Sequence, residues 1–175
     1  MAPVPLIPAR SVRQRVRSLA RRISSDHRGE PLVMLVLMDG AFCFVADLMR
    51  LMHVPDVRLH FVRASSYGSS TVSSGAVTLS QMPDLSGCRV LVVDDILDTG
   101  RTLARAVAAC AGAASVRTCV LLDKPARRVP GGLERADYVG FTIADAFVVG
   151  YGLDHDGRYR HLPDVCTLEQ AAKPA

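Results

Sequence analysis

The segment VLVVDDILDTGRTL, Val90 to Leu103, sets three carboxylates, Asp94, Asp95 and Asp98, directly ahead of Thr99, Gly100, Arg101 and Thr102. The residues before Asp94 are apolar, as in a buried strand, and Gly100 opens the way into a helix. In open α/β sheets ligands bind beyond the carboxyl ends of the strands. Backbone N–H groups at such a turn, together with the positive end of the helix dipole, make an anion site. The hydroxyls of Thr99 and Thr102 add donors, and Gly100 allows close approach. That half of the segment suits a phosphate. The acidic half suits sugar hydroxyls or a hydrated Mg²⁺, because carboxylates accept hydrogen bonds and bind hard cations. Acids beside a phosphate cradle describe a site for a phosphorylated ribose. The chain has neither GxxxxGK[ST] nor GxGxxG, which excludes a Walker loop and a dinucleotide fingerprint.

These residues need a sheet to present them. Leu32–Met38 (LVMLVLM), Cys88–Asp94 (CRVLVVD) and Ser115–Asp123 (SVRTCVLLD) are continuous apolar runs, the pattern of strands buried on both faces. Pro55–Ser65, AVTLS, ADYVGFTI and AFVVGYGL are further strand candidates. Phe42–Met52 and Thr99–Ala111 read as helices, with Asp98 a candidate N-cap for the second. Val12, Val16, Leu19 and Ile23 recur at helical spacing in an arginine-rich segment that Ser11 could cap and DHRGEP ends. Strands alternating with helices predict an α/β fold with a mainly parallel sheet. SYGSSTVSSG, Ser66 to Gly75, reads as a mobile loop. Residues 1–9 and 168–175 are expected to be loose, and no linker divides residues 1–175, so a single domain is expected.

The bulk numbers fit a globular protein: 175 residues, 49% hydrophobic and 22% charged. The net charge of +4 is concentrated in Arg10–Arg28, which reads as a solvated helix face. Without Trp or interleaved aromatics, a nucleic-acid surface is disfavoured. The five cysteines, Cys43, Cys88, Cys110, Cys119 and Cys166, are widely spaced and form no CxxC, as expected of buried thiols in a reducing compartment. The N-terminal segment lacks the apolar core of a signal peptide, and no run is long enough to span a bilayer, so a cytoplasmic location is expected.

VLVVDDILDTGRTL resembles the phosphoribosyl-pyrophosphate (PRPP) motif of type I phosphoribosyltransferases. FVRASSYG, LLDKPARR, ADYVGF and FVVGYGLDHDGRYRHLPDV resemble, in that order, segments of the hypoxanthine-guanine phosphoribosyltransferases. The resemblance covers about Ile23 to Val165 and implies a central sheet flanked by helices, with a small hood and a flexible loop. It implies transfer of a purine to PRPP through an oxocarbenium-like transition state with Mg²⁺, giving IMP or GMP and pyrophosphate. It implies that Asp94 and Asp95 hold the ribose hydroxyls and that Asp98 is the general base or electrostatic partner at purine N7. Asp98, Thr99, Gly100, Arg101 and Thr102 would cradle the 5′-phosphate. Met38, Asp39, Gly40 and Arg160 would bind pyrophosphate. Lys124, Phe147, Val148 and Asp154 would bind the purine, and Asp94, Asp95 and Asp154 the metal. Ser66 and Tyr67 would belong to a lid that excludes water. Lys124 would donate to a 6-oxo group, which argues against adenine because an ammonium has no acceptor. The resemblance also implies a homodimer or homotetramer.

Two positions depart from the pattern. Where the resemblance implies Leu-Lys-Gly, this chain has Met38, Asp39 and Gly40, with a non-proline cis peptide expected at Met38–Asp39. Asp39 removes a positive charge near an anion and adds a negative one, leaving open weaker pyrophosphate binding, an altered subunit contact or recruitment of Mg²⁺. Asp94 stands where glutamate is more usual. The residue types also leave open the choice among hypoxanthine, guanine and xanthine. A second reading keeps the fold but makes the chain a weakly catalytic, regulatory binder of PRPP or nucleotide; VDD and the basic helix allow it, and LDTG and FVVGYGLD argue against it.

Overall fold

The computed structural model describes residues 2–66 and 77–169. In chain order the elements are β1 (Ala2–Ile7), α1 (Ala9–Asp26), β2 (Leu32–Met38), α2 (Phe42–Leu51), β3 (Val57–Ser66), β4 (Val77–Leu79) and β5 (Arg89–Leu97). They continue with α3 (Arg101–Ala109), β6 (Ser115–Asp123), a 3₁₀ turn (Pro125–Arg127), β7 (Tyr138–Thr142), β8 (Val148–Val149) and β9 (Val165–Glu169). The main sheet has the order β4-β3-β2-β5-β6-β7. It is parallel except for β4, which pairs antiparallel with β3 at the edge. The small sheet β1-β9-β8 is antiparallel and forms the hood. The expected α/β architecture is therefore present.

The apolar runs explain the layers. In β2, Leu32, Met34 and Val36 pack on one face with α1 and α2, whereas Val33, Leu35 and Leu37 pack on the other with Leu103 and Ala106 of α3. Side chains alternate across a strand, so burial on both faces needs an unbroken apolar sequence. α1 buries Val12, Val16, Leu19, Ala20 and Ile23 and leaves its arginines outside, as the spacing predicts. Two of those arginines also lie over aromatic rings, Arg15 over Phe141 at 5.3 Å and Arg22 over Tyr138 at 5.1 Å.

Several expectations are corrected. Residues 2–7 are not loose: they form β1, in register with β9 from Ala2↔Glu169 to Ile7↔Val165, so Leu168 and Glu169 are ordered too. Pro3 and Pro5 hide this strand from sequence reading, but proline is tolerated on an edge. α1 starts at Ala9, not at a Ser11 cap. Its first free amide, Ala9 N–H, donates to Asp164 Oδ1 at 2.6 Å, a cap supplied from 155 residues away. β5 runs on to Leu97 because its later residues stay in register with β6 as far as Leu97↔Asp123. α3 accordingly begins at Arg101, with Gly100 as its N-cap in place of Asp98. No α-helix joins β6 to β7; the connection is the 3₁₀ turn and an irregular loop.

Candidate active site

The backbone creates the site where pairing stops. β2 pairs with β5 from Val33↔Val90 to Val36↔Val93 only, while β5 stays paired with β6 to Leu97. Beyond Val93, β5 has an open side. The chain also continues from β2 to β3 on one flank and returns to β5 on the other, which makes this a topological switch point. A cleft of about 340 Å³ lies here, lined by Asp39, Gly40, Asp95, Ile96, Asp98, Lys124, Phe147, Val148, Leu153, Asp154 and Arg160. A smaller recess, lined in part by Asp94, Thr99, Gly100 and Thr102, shares Ile96 and Asp98 with it. The structure thus brings together nearly all the residues singled out from the sequence.

The loop after β2 carries the expected cis peptide at Met38–Asp39. Gly40 passes so close to the acidic pair that a Cβ there would sit 1.7 Å from Asp95 Oδ2. Asp94 Oδ1 accepts the Asp95 N–H at 2.9 Å, and Asp95 Oδ1 accepts the Ile96 N–H at 2.7 Å. Burial, then the neighbouring Asp95, push the Asp94 carboxyl well above its ordinary value; burial also raises Asp95, opposed by its hydrogen bonds and by Arg160. Two adjacent half-buried carboxylates that resist ionising mark a place where a cation or hydroxyl donors would be welcome. Among the described residues no group of three potential ligands is gathered for a metal, so a cation bound by these carboxylates would have to take its remaining ligands from water or substrate oxygens.

The turn after β5 is held from behind. Gly100 has φ 82°, and a Cβ there would lie 2.4 Å from the Leu133 carbonyl oxygen. Gly100 O in turn accepts the Leu133 N–H at 2.9 Å. Arg128, only 14% exposed at its side chain, ties the ends of β5 and β6 to the loop at Glu134. Its Nη1 donates to Leu97 O (2.8 Å), Asp98 O (2.5 Å) and Lys124 O (3.0 Å); its Nε donates to Glu134 O (3.0 Å), and Nη2 pairs with Asp123. Arg127 Nε donates to Asp98 Oδ1 at 3.0 Å and lies 3.7 Å, through Nη1, from Asp145 Oδ2. In LLDKPARR the sequence points to Lys124 alone; Arg127 and Arg128 support the site through contacts that only the fold brings together.

The opposite wall comes from β6 and the hood. Lys124 is buried at 7% exposure yet lines the cleft, so it is not the surface lysine that its position after a strand would otherwise suggest. Phe147 is 57% exposed with its ring edge-on to His155, leaving a face for a planar ligand, while Val148 and Val149 are buried. Asp154 Oδ1 pairs with Arg160 Nη2 at 2.8 Å, and Arg160 Nη1 donates to Gly152 O at 2.6 Å. Met38 and Arg101 line neither cavity, and Arg101 is exposed as the first residue of α3. Ser66 ends β3, and Tyr67 lies outside the described residues. Ile96 and Leu153 line the cleft without having been singled out.

The family model for the phosphoribosyl transferase domain matches residues 8–156. The chain is 41% identical over 169 residues to the hypoxanthine phosphoribosyltransferase of Salmonella typhimurium, covering 91% of this chain and 92% of that protein. It is 41% identical over 174 residues to the hypoxanthine-guanine phosphoribosyltransferase of Mycobacterium tuberculosis, covering 94% and 85%. A crystal structure of a hypoxanthine-guanine phosphoribosyltransferase from Bacillus anthracis superposes with a TM-score of 0.85 at 39% identity, over 95% of this chain and 98% of that one. No helix among the described residues is long and apolar enough to cross a membrane.

Proposed function

The chain belongs to the phosphoribosyl transferase domain family, and within it to the hypoxanthine and hypoxanthine-guanine phosphoribosyltransferases, and from that premise we propose that it joins hypoxanthine or guanine to PRPP. A bond forms between a purine ring nitrogen and the ribose carbon as the bond from that carbon to pyrophosphate breaks. The products are IMP or GMP and pyrophosphate. The observation that carries this reading is the buried ammonium of Lys124 in the same cleft as Asp98, the open face of Phe147 and the acidic end of β5.

Each residue then has a physical task. Phe147 stacks on the base and Lys124 donates to its 6-oxo group, which adenine lacks. Asp98 takes or shares the purine proton at N7; Arg127 holds its Oδ1, and Oδ2 has no partner among the described residues. The recess formed with Asp98, Thr99, Gly100 and Thr102 receives the 5′-phosphate, with α3 starting immediately behind it. Asp94 and Asp95 accept the ribose hydroxyls and, with Asp154, would hold Mg²⁺. When bound, Mg²⁺ neutralises the departing pyrophosphate. The reading includes a homodimer or homotetramer in the cytoplasm, where the five free thiols would stay reduced.

Pyrophosphate release from PRPP and Mg²⁺, with hypoxanthine, guanine, xanthine, adenine and uracil offered separately, tests this. Release with a 6-oxopurine and none with adenine is expected. No release with any base from a folded protein that still binds PRPP would overturn it in favour of a regulatory role.

A further inference from the structure

We propose that Arg63 is a pyrophosphate-binding residue, held at the rim of the cleft by Asp39. The inference rests on the reading above that the Met38–Gly40 loop receives pyrophosphate.

The charges lining the cleft do not suit that anion as they stand. Asp39, Asp95, Asp98 and Asp154 contribute four carboxylates, against the cations of Lys124 and Arg160. Arg160 is engaged by Asp154 and the Gly152 carbonyl, and Lys124 is buried on the purine side. Beside the Mg²⁺ of the proposed reaction, a side-chain cation next to the loop would offset this excess, and Arg63 is placed to provide it.

β2 and β3 end together, with Arg63 directly opposite Met38 in the parallel register. The Arg63 backbone is clamped from the far side: its N–H donates to Ser80 Oγ at 3.0 Å, and the Ser80 N–H donates to Arg63 O at 2.9 Å. Only its side chain is left to move. Arg63 Nη2 lies 3.5 Å from Asp39 Oδ1, the guanidinium is 77% exposed, and Asp39 is its one ionic partner among the described residues. A contact that long is an ionic tether more than a tight fork, so the side chain can pivot about it. The guanidinium has five donors, and its planar fork matches phosphate oxygens. Asp39 thus adds to the cleft's excess of carboxylates, but it recruits, from the neighbouring strand, a cation longer than lysine.

The test is calorimetric titration with magnesium pyrophosphate, which needs no turnover, alongside steady-state KM for PRPP. Arg63→Ala should weaken pyrophosphate binding about tenfold and raise the KM for PRPP, with the KM for purine unchanged. Arg63→Lys should retain most of the binding. In an Asp39→Lys background, where the loop carries its own cation, Arg63→Ala should have no further effect. Unchanged binding in Arg63→Ala, or an equal loss in the Asp39→Lys background, overturns the proposal. Thermal unfolding of each variant checks folding, and if Asp39→Lys does not fold, the alanine and lysine variants at 63 decide. An active wild-type enzyme indifferent to Arg63→Ala overturns this inference alone. Arg63-dependent binding without turnover on any base overturns the proposed activity alone.

Discussion

Replacing Arg128 with methionine is the most demanding test of how the site is built. Its guanidinium satisfies the carbonyls of Leu97, Asp98, Lys124 and Glu134 and pairs with Asp123, whose side chain is only 17% exposed. Methionine keeps the length and loses every donor. Breaking a mostly buried pair from one side leaves an uncompensated carboxylate, and with partial exposure the low end of that range applies, about 3 kcal/mol. For a chain of this size that is a fall in unfolding midpoint of about 6–12 °C. The freed carbonyls include those of Asp98 and Lys124, so both side chains shift, and a displacement near 1 Å costs about 100-fold in turnover. Differential scanning calorimetry and steady-state kinetics on the same sample read both effects. Arg128→Lys should fall between, because one ammonium cannot reach all five acceptors. Asp123→Asn combined with Arg128→Met should recover part of the stability by removing the orphaned charge. An Arg128→Met variant with the wild-type midpoint and kcat would refute the reasoning.

Asp98→Asn should leave PRPP binding nearly intact and lower kcat by about 10²–10⁴, as loss of a positioned base does, measured by pyrophosphate release. Lys124→Met should raise the KM for hypoxanthine and guanine while leaving the KM for PRPP in place, in steady-state assays varying each substrate. His27 is buried with neither ring nitrogen hydrogen-bonded among the described residues, and burial, then Arg117, lower its pKa below 6.5. As pH falls through 6.5 the unfolded chain takes up a proton that the folded chain refuses, so stability should fall until the folded histidine also titrates. His27→Gln should flatten that slope in urea unfolding at pH 7 and pH 5.

The parts legible in the sequence are those where local pattern and tertiary role agree. The runs Leu32–Met38 and Ser115–Asp123 are strands with the expected bounds, because a strand buried on both faces must be apolar throughout. The cis peptide at Met38–Asp39 and the convergence of Asp39, Asp95, Asp98, Lys124, Phe147, Asp154 and Arg160 on one cleft also stand as expected. What stayed hidden depends on partners far away in the chain. β1 has prolines and little burial, and it exists because β9 pairs with it. β5 extends past its acidic pair because β6 holds it, and α3 starts late because Gly100 must clear Leu133. Arg128 looks like any surface arginine until its acceptors come together from β5, β6 and the loop at Glu134. The lid reading at Tyr67 falls outside the described residues.

The pairing of β1 with β9 also sets the order in which this protein can become competent. Domains generally fold as units. The ribose and phosphate elements at β5 and α3 need β6, Arg128 and Leu133 to hold them, and β1 and the first amide of α1 wait for β9 and for Asp164, which lies 155 residues after Ala9. The hood that carries Phe147, Asp154 and Arg160 closes only after that late segment arrives. A truncation before Val165 would therefore leave the wall that selects the base without β9, the strand that joins β1 to β8.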